Sequence, residues 1–171
     1  GDSDTEVLLE AIEEWGLEAA VKQCHGMLAF AIYDKKLNSI TLVRDRIGEK
    51  PLFYGWSNGI FLFGSELKAI KSHPCFQCEV SMDAVSLYFR HGYIPAPTSI
   101  YEGVYKLLPG HILSISLTPS TYEIVDIQKY WSLPKTKNSS APDVRRSSQC
   151  LDELERVLTR AVVQESNADV P

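Results

Sequence analysis

The chain has 171 residues, with 17 Lys plus Arg against 22 Asp plus Glu, a formal net charge of −5 and 44% hydrophobic residues. That balance fits one folded domain with a sizeable core, or one domain and part of another, and it argues against disorder. The acidic charge disfavours a nucleic-acid partner or electrostatic attachment to anionic lipid, and no apolar run is long enough to cross a bilayer.

In chain order, Ser3-Asp4-Thr5-Glu6 reads as a capping box with Ser3 as N-cap. Leu8, Ile12 and Trp15 then recur at helical spacing, and Gly16 closes the helix. A second helix is predicted over 17–23. Residues 27–33 are apolar on both alternate faces, which predicts a strand covered above and below. Residues 34–38 read as a hairpin turn and 40–44 as the returning strand. A second hairpin is predicted from strands 51–54 and 60–63, with Asn58-Gly59 as the turn signal. A short helix over 66–72 takes Ser65 as its cap, and Ser81 caps a helix to about residue 91. Residues 95–110 read as a turn-rich connection. In 111–117, Leu113, Ile115 and Leu117 alternate with Ser114 and Ser116, and 121–131 is the hairpin partner. Antiparallel sheet flanked by helices is an α+β pattern. Residues 132–149 have no apolar period and read as a linker. Leu151, Leu154, Leu158 and Ala161 then mark an amphipathic helix. Little sequence remains for that helix to pack on, which predicts a second domain cut short.

Several stretches invite a chemical reading. Cys75-Phe-Gln-Cys78, with His73 before it, has the spacing of half a zinc site. A structural site needs a second pair, which the sequence lacks, and a thioredoxin-like motif would not begin in a His-Pro-Cys turn. No metal ligand is therefore assigned. The four cysteines do not form a disulfide framework, so reduced thiols and a cytoplasmic setting are expected. Neither a signal-peptide pattern nor an initiator Met precedes Gly1-Asp2-Ser3-Asp4, as expected of a processed chain or a piece of a longer one. Ser65-Glu66-Leu67-Lys68 matches S-x-x-K, but the companion motifs of serine acyl-enzymes are missing, so a capping Ser and a solvated Lys are expected. Asn138-Ser139-Ser140 is a glycosylation sequon without a secretory context. The dense charges of Arg44 to Pro51 read as an ion-paired turn at a sheet edge, the alternative being a structural corner that shapes a nearby substrate pocket or an interdomain contact. Asp4, in the first helical turn, is held ionised by the helix dipole and could bind a substrate ammonium, although a carboxylate there often serves the helix alone.

Together the motifs resemble a family. Ser3-Asp4-Thr5-Glu6-Val7, 26–34, Arg44-Asp45-Arg46-Ile47-Gly48-Glu49-Lys50-Pro51-Leu52-Phe53-Tyr54 and Gly64-Ser65-Glu66-Leu67-Lys68-Ala69 resemble successive blocks of glutamine-hydrolysing asparagine synthetases. Tyr93-Ile94-Pro95-Ala96-Pro97 and Lys106-Leu107-Leu108-Pro109-Gly110-His111 are similar to segments of their bacterial branch. The resemblance covers essentially the whole chain and is weakest in 132–149.

It implies a class II glutamine amidotransferase built as an αββα sandwich with antiparallel sheets, whose N-terminal cysteine attacks the glutamine amide with the α-amine as base. It also implies a second, α/β ATP-pyrophosphatase domain that uses ATP and Mg2+ to activate aspartate. On this reading residues 1–131 are the C-terminal part of the glutaminase domain, 132–149 a linker, and 150–171 the start of the synthetase domain with its first helix. Asp4 matches the aspartate that binds the α-amino group of glutamine. The nucleophile and the phosphate loop fall outside the sequence, so no catalytic residue is assigned and the piece alone is expected to be inactive. A sandwich without its first strands should expose sheet edges and apolar side chains such as Leu28, Phe30 and Ile32. Glutamine, aspartate and ATP are the expected partners, nucleic acid and membrane are not, and a homodimer stays open. Alternatives are an amidotransferase with another acceptor, β-lactam synthetase-like or from a sugar pathway, and a non-catalytic binding module.

Overall fold

The computed structural model describes residues 3–118, 121–134 and 147–166. The chain divides into two units, residues 1–132 and 133–171.

The first unit opens with helix α1 (Asp4–Trp15) and helix α2 (Leu17–Gln23). Strands β1 (Ala29–Asp34), β2 (Ser39–Arg44), β3 (Phe53–Ser57) and β4 (Ile60–Gly64) follow, then helices α3 (Leu67–Lys71) and α4 (Met82–His91). Strands β5 (Val104–Lys106), β6 (His111–Thr118) and β7 (Thr121–Lys129) complete it. The strands form two sheets, in the orders β1-β2-β6-β7 and β4-β3-β5, and every pairing between them is antiparallel.

Two apolar clusters fix the layers. Leu42, Leu113 and Ile115 from the larger sheet meet Tyr54 from the smaller one, together with Leu52 and Leu107. On the other face of the larger sheet, Val43 and Ile112 meet Val21 of α2 and Tyr130. The order is therefore helix, sheet, sheet, and the alternation of Leu113 and Ile115 with Ile112 along β6 places one side chain set in each core. Fully buried Leu42 and Leu113 are register partners on adjacent strands, so the first core is centred on that pair.

The α+β reading holds, and both helix pairs and the hairpins lie close to their predicted positions. Several expectations are corrected. β1 is not covered on both faces along its length: Leu28 and Phe30 pack into the α2 side and Ala29 into the other core, but Ala31 and Tyr33 are exposed. β1 is the edge of its sheet, so cover thins toward its end. Leu28, Phe30 and Ile32, expected to be exposed, are half-buried.

The Ser3 side chain makes no capping bond. Its carbonyl takes the Glu6 and Val7 amides, both at 3.1 Å, and Asp4 Oδ1 takes the Thr5 amide at 2.8 Å. The α3 cap is Glu66 rather than Ser65, again without a side-chain bond. Ser81 does cap α4, accepting the Ala84 amide at 3.3 Å.

β3 continues to Ser57, so its turn is only Asn58-Gly59, with φ of 49° and 75°. β5 was expected to be loop. Its three residues sit between turns, too few to show a period, and they are held by pairing with β3.

The second unit is described through helix α5 (Ser147–Glu165). Leu151, Leu154, Val157 and Leu158 are all exposed on it, as an apolar stripe without a described partner would be. Most of the predicted linker lies outside the described residues. No helix among the described residues is long and apolar enough to cross a membrane.

Candidate functional site

A cleft of about 750 Å³ opens in the first unit. Asp4, Thr5 and Leu8 of α1 line it, with Cys24 and His25 after α2, residues 27–30 entering β1, Lys50 and Pro51 before β3, and Ser65 and Glu66 before α3. Smaller hollows along α5 are lined, among the described residues, by that helix alone.

Asp4 is the first residue of α1, where the helix dipole favours an anion, and its side chain stands exposed in the cleft. Its Oδ1 also takes the Thr5 hydroxyl at 3.5 Å. Glu66 adds a second carboxylate, shared at 2.6 Å with the exposed Lys68 ammonium, whose pKa this pairing raises. Lys50 supplies an ammonium of the opposite charge, and His25 an imidazole. A cleft with both signs suits a zwitterion such as an amino acid better than a purely anionic or apolar ligand.

Cys24 is half-buried, and its thiol donates to the Ala20 carbonyl at 3.4 Å. Burial pushes its pKa up, with Arg46 nearby acting against that shift. A thiol so held is a poor nucleophile.

The Arg44 to Pro51 turn builds one wall. Asp45 is only 2% exposed. Its Oδ1 accepts the amides of Ile47, Gly48 and Glu49 at 3.2, 2.5 and 2.9 Å, and its Oδ2 accepts that of Lys50 at 2.9 Å. Arg44 is 9% exposed, and burial pushes its pKa down. Its guanidinium donates to the carbonyls of Lys50, Leu107 and Gly48 at 2.8, 2.6 and 2.8 Å. The expected ion-paired turn is thus corrected. Both charges are spent on backbone groups, because a turn folded over the end of a sheet leaves amides and carbonyls that no strand can satisfy. The alternative reading, a corner that shapes a pocket, is the one the geometry fits.

The remaining motifs add no chemistry of their own: Ser65 and Glu66 of S-x-x-K line the cleft, and the C-x-x-C segment lies outside its lining. Lys68 of the S-x-x-K stretch is solvated, as expected. In the C-x-x-C segment, Ser57 Oγ donates to the Cys75 carbonyl at 3.0 Å and accepts the Gln77 amide at 2.7 Å, which ties the loop to β3. Cys78 Sγ donates to the Trp56 carbonyl at 3.5 Å. Among the described residues, no group of three or more His, Cys, Asp or Glu side chains is placed to hold a metal ion. Of the cleft residues, the sequence marks Asp4 alone as a ligand-binding candidate. Cys24 and His25 could have joined a zinc set only by a coincidence of folding and Ser65 was expected to cap a helix, while Lys50 and Glu66 lay inside the motif blocks without a binding role.

Residues 1–131 match the family profile of the glutamine amidotransferase domain, and the chain belongs to that family. It is 35% identical, over 99% of its length, to the glutamine-hydrolyzing asparagine synthetase 3 of Bacillus subtilis (strain 168), of which it covers 26%. It is 36% identical over 99% of its length to the putative glutamine-hydrolyzing asparagine synthetase 2 of Methanocaldococcus jannaschii, covering 32% of that protein. It is also 30% identical over its whole length to amidase chry2 of Gibberella zeae, covering 24% of it. The chain therefore spans about a quarter to a third of the length of these relatives.

Proposed function

We propose that residues 1–131 are the later part of the glutaminase domain of an asparagine synthetase, and that Asp4 binds the α-ammonium of glutamine. The observation that carries the reading is the position of Asp4 at the start of α1 and in the wall of a cleft with charges of both signs. The identities of 35% and 36% to glutamine-hydrolyzing asparagine synthetases support the parent activity: ammonia released from glutamine converts aspartate to asparagine. The helix–sheet–sheet order supports an N-terminal-nucleophile sandwich, with residues 150–171 opening a synthetase domain.

In this reading Asp4 orients the substrate rather than reacting with it. A carboxylate on the helix N-terminus accepts hydrogen bonds from the ammonium, and the wall from Lys50 to Pro51 limits where the side-chain amide can point. Cys24, protonated and bonded to Ala20, takes no part in the attack. The described residues offer no carboxylate cluster for Mg2+, and the sequence offers no glycine-rich phosphate loop, so ATP enters no step derived for this chain.

The test uses the product of the complete reading frame. Asp4→Asn should raise the KM for glutamine roughly ten- to hundredfold, the worth of a hydrogen bond to a charged group. Free ammonia should remain a competent donor. Equal loss with both donors would sink the assignment. Glutamine hydrolysis without asparagine formation from aspartate and ATP would point to another acceptor.

A further inference from the structure

We infer that Asp45 is a positioning residue for the glutamine cleft, its carboxylate acting through the backbone of Lys50. The inference rests on the reading of the cleft given above. Asp45 is too deeply buried to touch a ligand, yet its bonds run to two parts of the cleft wall. Its amide donates to the carbonyl of Leu28 at 2.9 Å, and Leu28 lines the cleft. Its Oδ2 accepts the Lys50 amide at 2.9 Å, while Arg44 Nε donates to the Lys50 carbonyl at 2.8 Å. Both backbone polar groups of one wall residue are thus held by buried charged side chains.

Those bonds do more than keep the turn folded. Ile47, Glu49 and Lys50 are exposed residues, so the turn lies within reach of water. What water cannot replace is a fixed position. Release of Lys50 would free the wall to move, and misplacement of about 1 Å at a reacting site costs on the order of a hundredfold.

Asp45→Asn is the selective perturbation. Asn keeps one carbonyl oxygen for the three amides now on Oδ1 and turns an NH2 group toward the Lys50 amide, donor against donor. In the product of the complete reading frame, the KM for glutamine should rise roughly ten- to hundredfold, with a smaller change in kcat. Asp34→Asn makes the same chemical change in the β1–β2 turn, where Asp34 Oδ1 accepts the Lys36 and Leu37 amides. That variant should leave the KM where it was. A lowered Tm for Asp45→Asn with a KM within about twofold of the parent overturns the inference and leaves the Asp4 reading intact. A raised KM for Asp45→Asn but not for Asp4→Asn overturns the Asp4 assignment and supports this one. A parent protein that does not hydrolyse glutamine overturns both.

Discussion

Replacing Gly48 by Ala loads two separate costs onto the turn that carries Lys50. Gly48 has φ of +76°, where an L side chain costs about 1–2 kcal/mol. A Cβ there would also stand 2.7 Å from Pro109 Cγ and 3.1 Å from both Cζ and Nη2 of Arg44. Neither neighbour yields easily, because Pro109 is a ring and the guanidinium is pinned by three carbonyls. Overpacking of that kind costs about 1–3 kcal/mol, so the two together reach about 2–5 kcal/mol. For a domain of this size that lowers Tm by roughly 5–20 °C. Gly59→Ala separates the terms: its φ of +75° is the same, but nothing lies within 4 Å of the new Cβ. It should therefore lose only the first, about 1–2 kcal/mol. Thermal unfolding followed by far-ultraviolet circular dichroism measures both. Equal Tm losses for the two variants would refute the claim that the 44–51 corner is packed against Pro109.

Leu113→Ala, at a fully buried position between the sheets, should cost about 2–5 kcal/mol by urea unfolding, more than any exposed substitution on α5. Ser81→Ala should cost about 1 kcal/mol through the lost cap, whereas Ser65→Ala should cost little because no cap bond is made there. Comparable losses would contradict that distinction. Tyr130 donates its hydroxyl to the Arg44 carbonyl at 2.9 Å, and burial first, then Asp45, pushes its pKa up to about 12. The folded state therefore holds this proton where the unfolded chain has lost it. The contribution is present in full below pH ~10, declines as pH rises, and is gone above ~12, where it has cost on the order of 2–3 kcal/mol. Tyr130→Phe should flatten the stability profile between those pH values, and an unchanged slope would remove Tyr130 as its source.

Local chemistry made much of this fold legible. Asn58-Gly59 needed only its own backbone preferences to mark the turn, and Ser81 only its hydroxyl to begin α4. The spacing of Leu113 and Ile115 predicted a buried face because neighbouring strands share one period. What failed depended on distant residues. Sequence cannot tell whether Ala31 and Tyr33 are covered, since that is decided by the place of β1 at a sheet edge. β5 exists because β3 offers it a partner. Asp4 drew attention through its helix position and its motif, and the structure places it in the cleft wall. The cleft around it was not legible, because His25, Lys50 and Glu66 join it from separate connections between elements. The charges of Arg44 and Asp45 suggested each other as partners, and only the folded turn reveals how many backbone groups compete for them.

The bond from Arg44 to the Leu107 carbonyl, with that from the Gly110 amide to the Asp45 carbonyl at 2.7 Å, has a bearing on the order in which the site is made. Among the described residues the cleft lining lies between positions 4 and 66, so this part of the lining leaves the ribosome before residues 107–110. The braces that hold one wall arrive only with residues 107–110. Until that stretch emerges, Lys50 and Pro51 stand on a wall that is not yet locked, so the shape of the cleft is settled later than its residues are made.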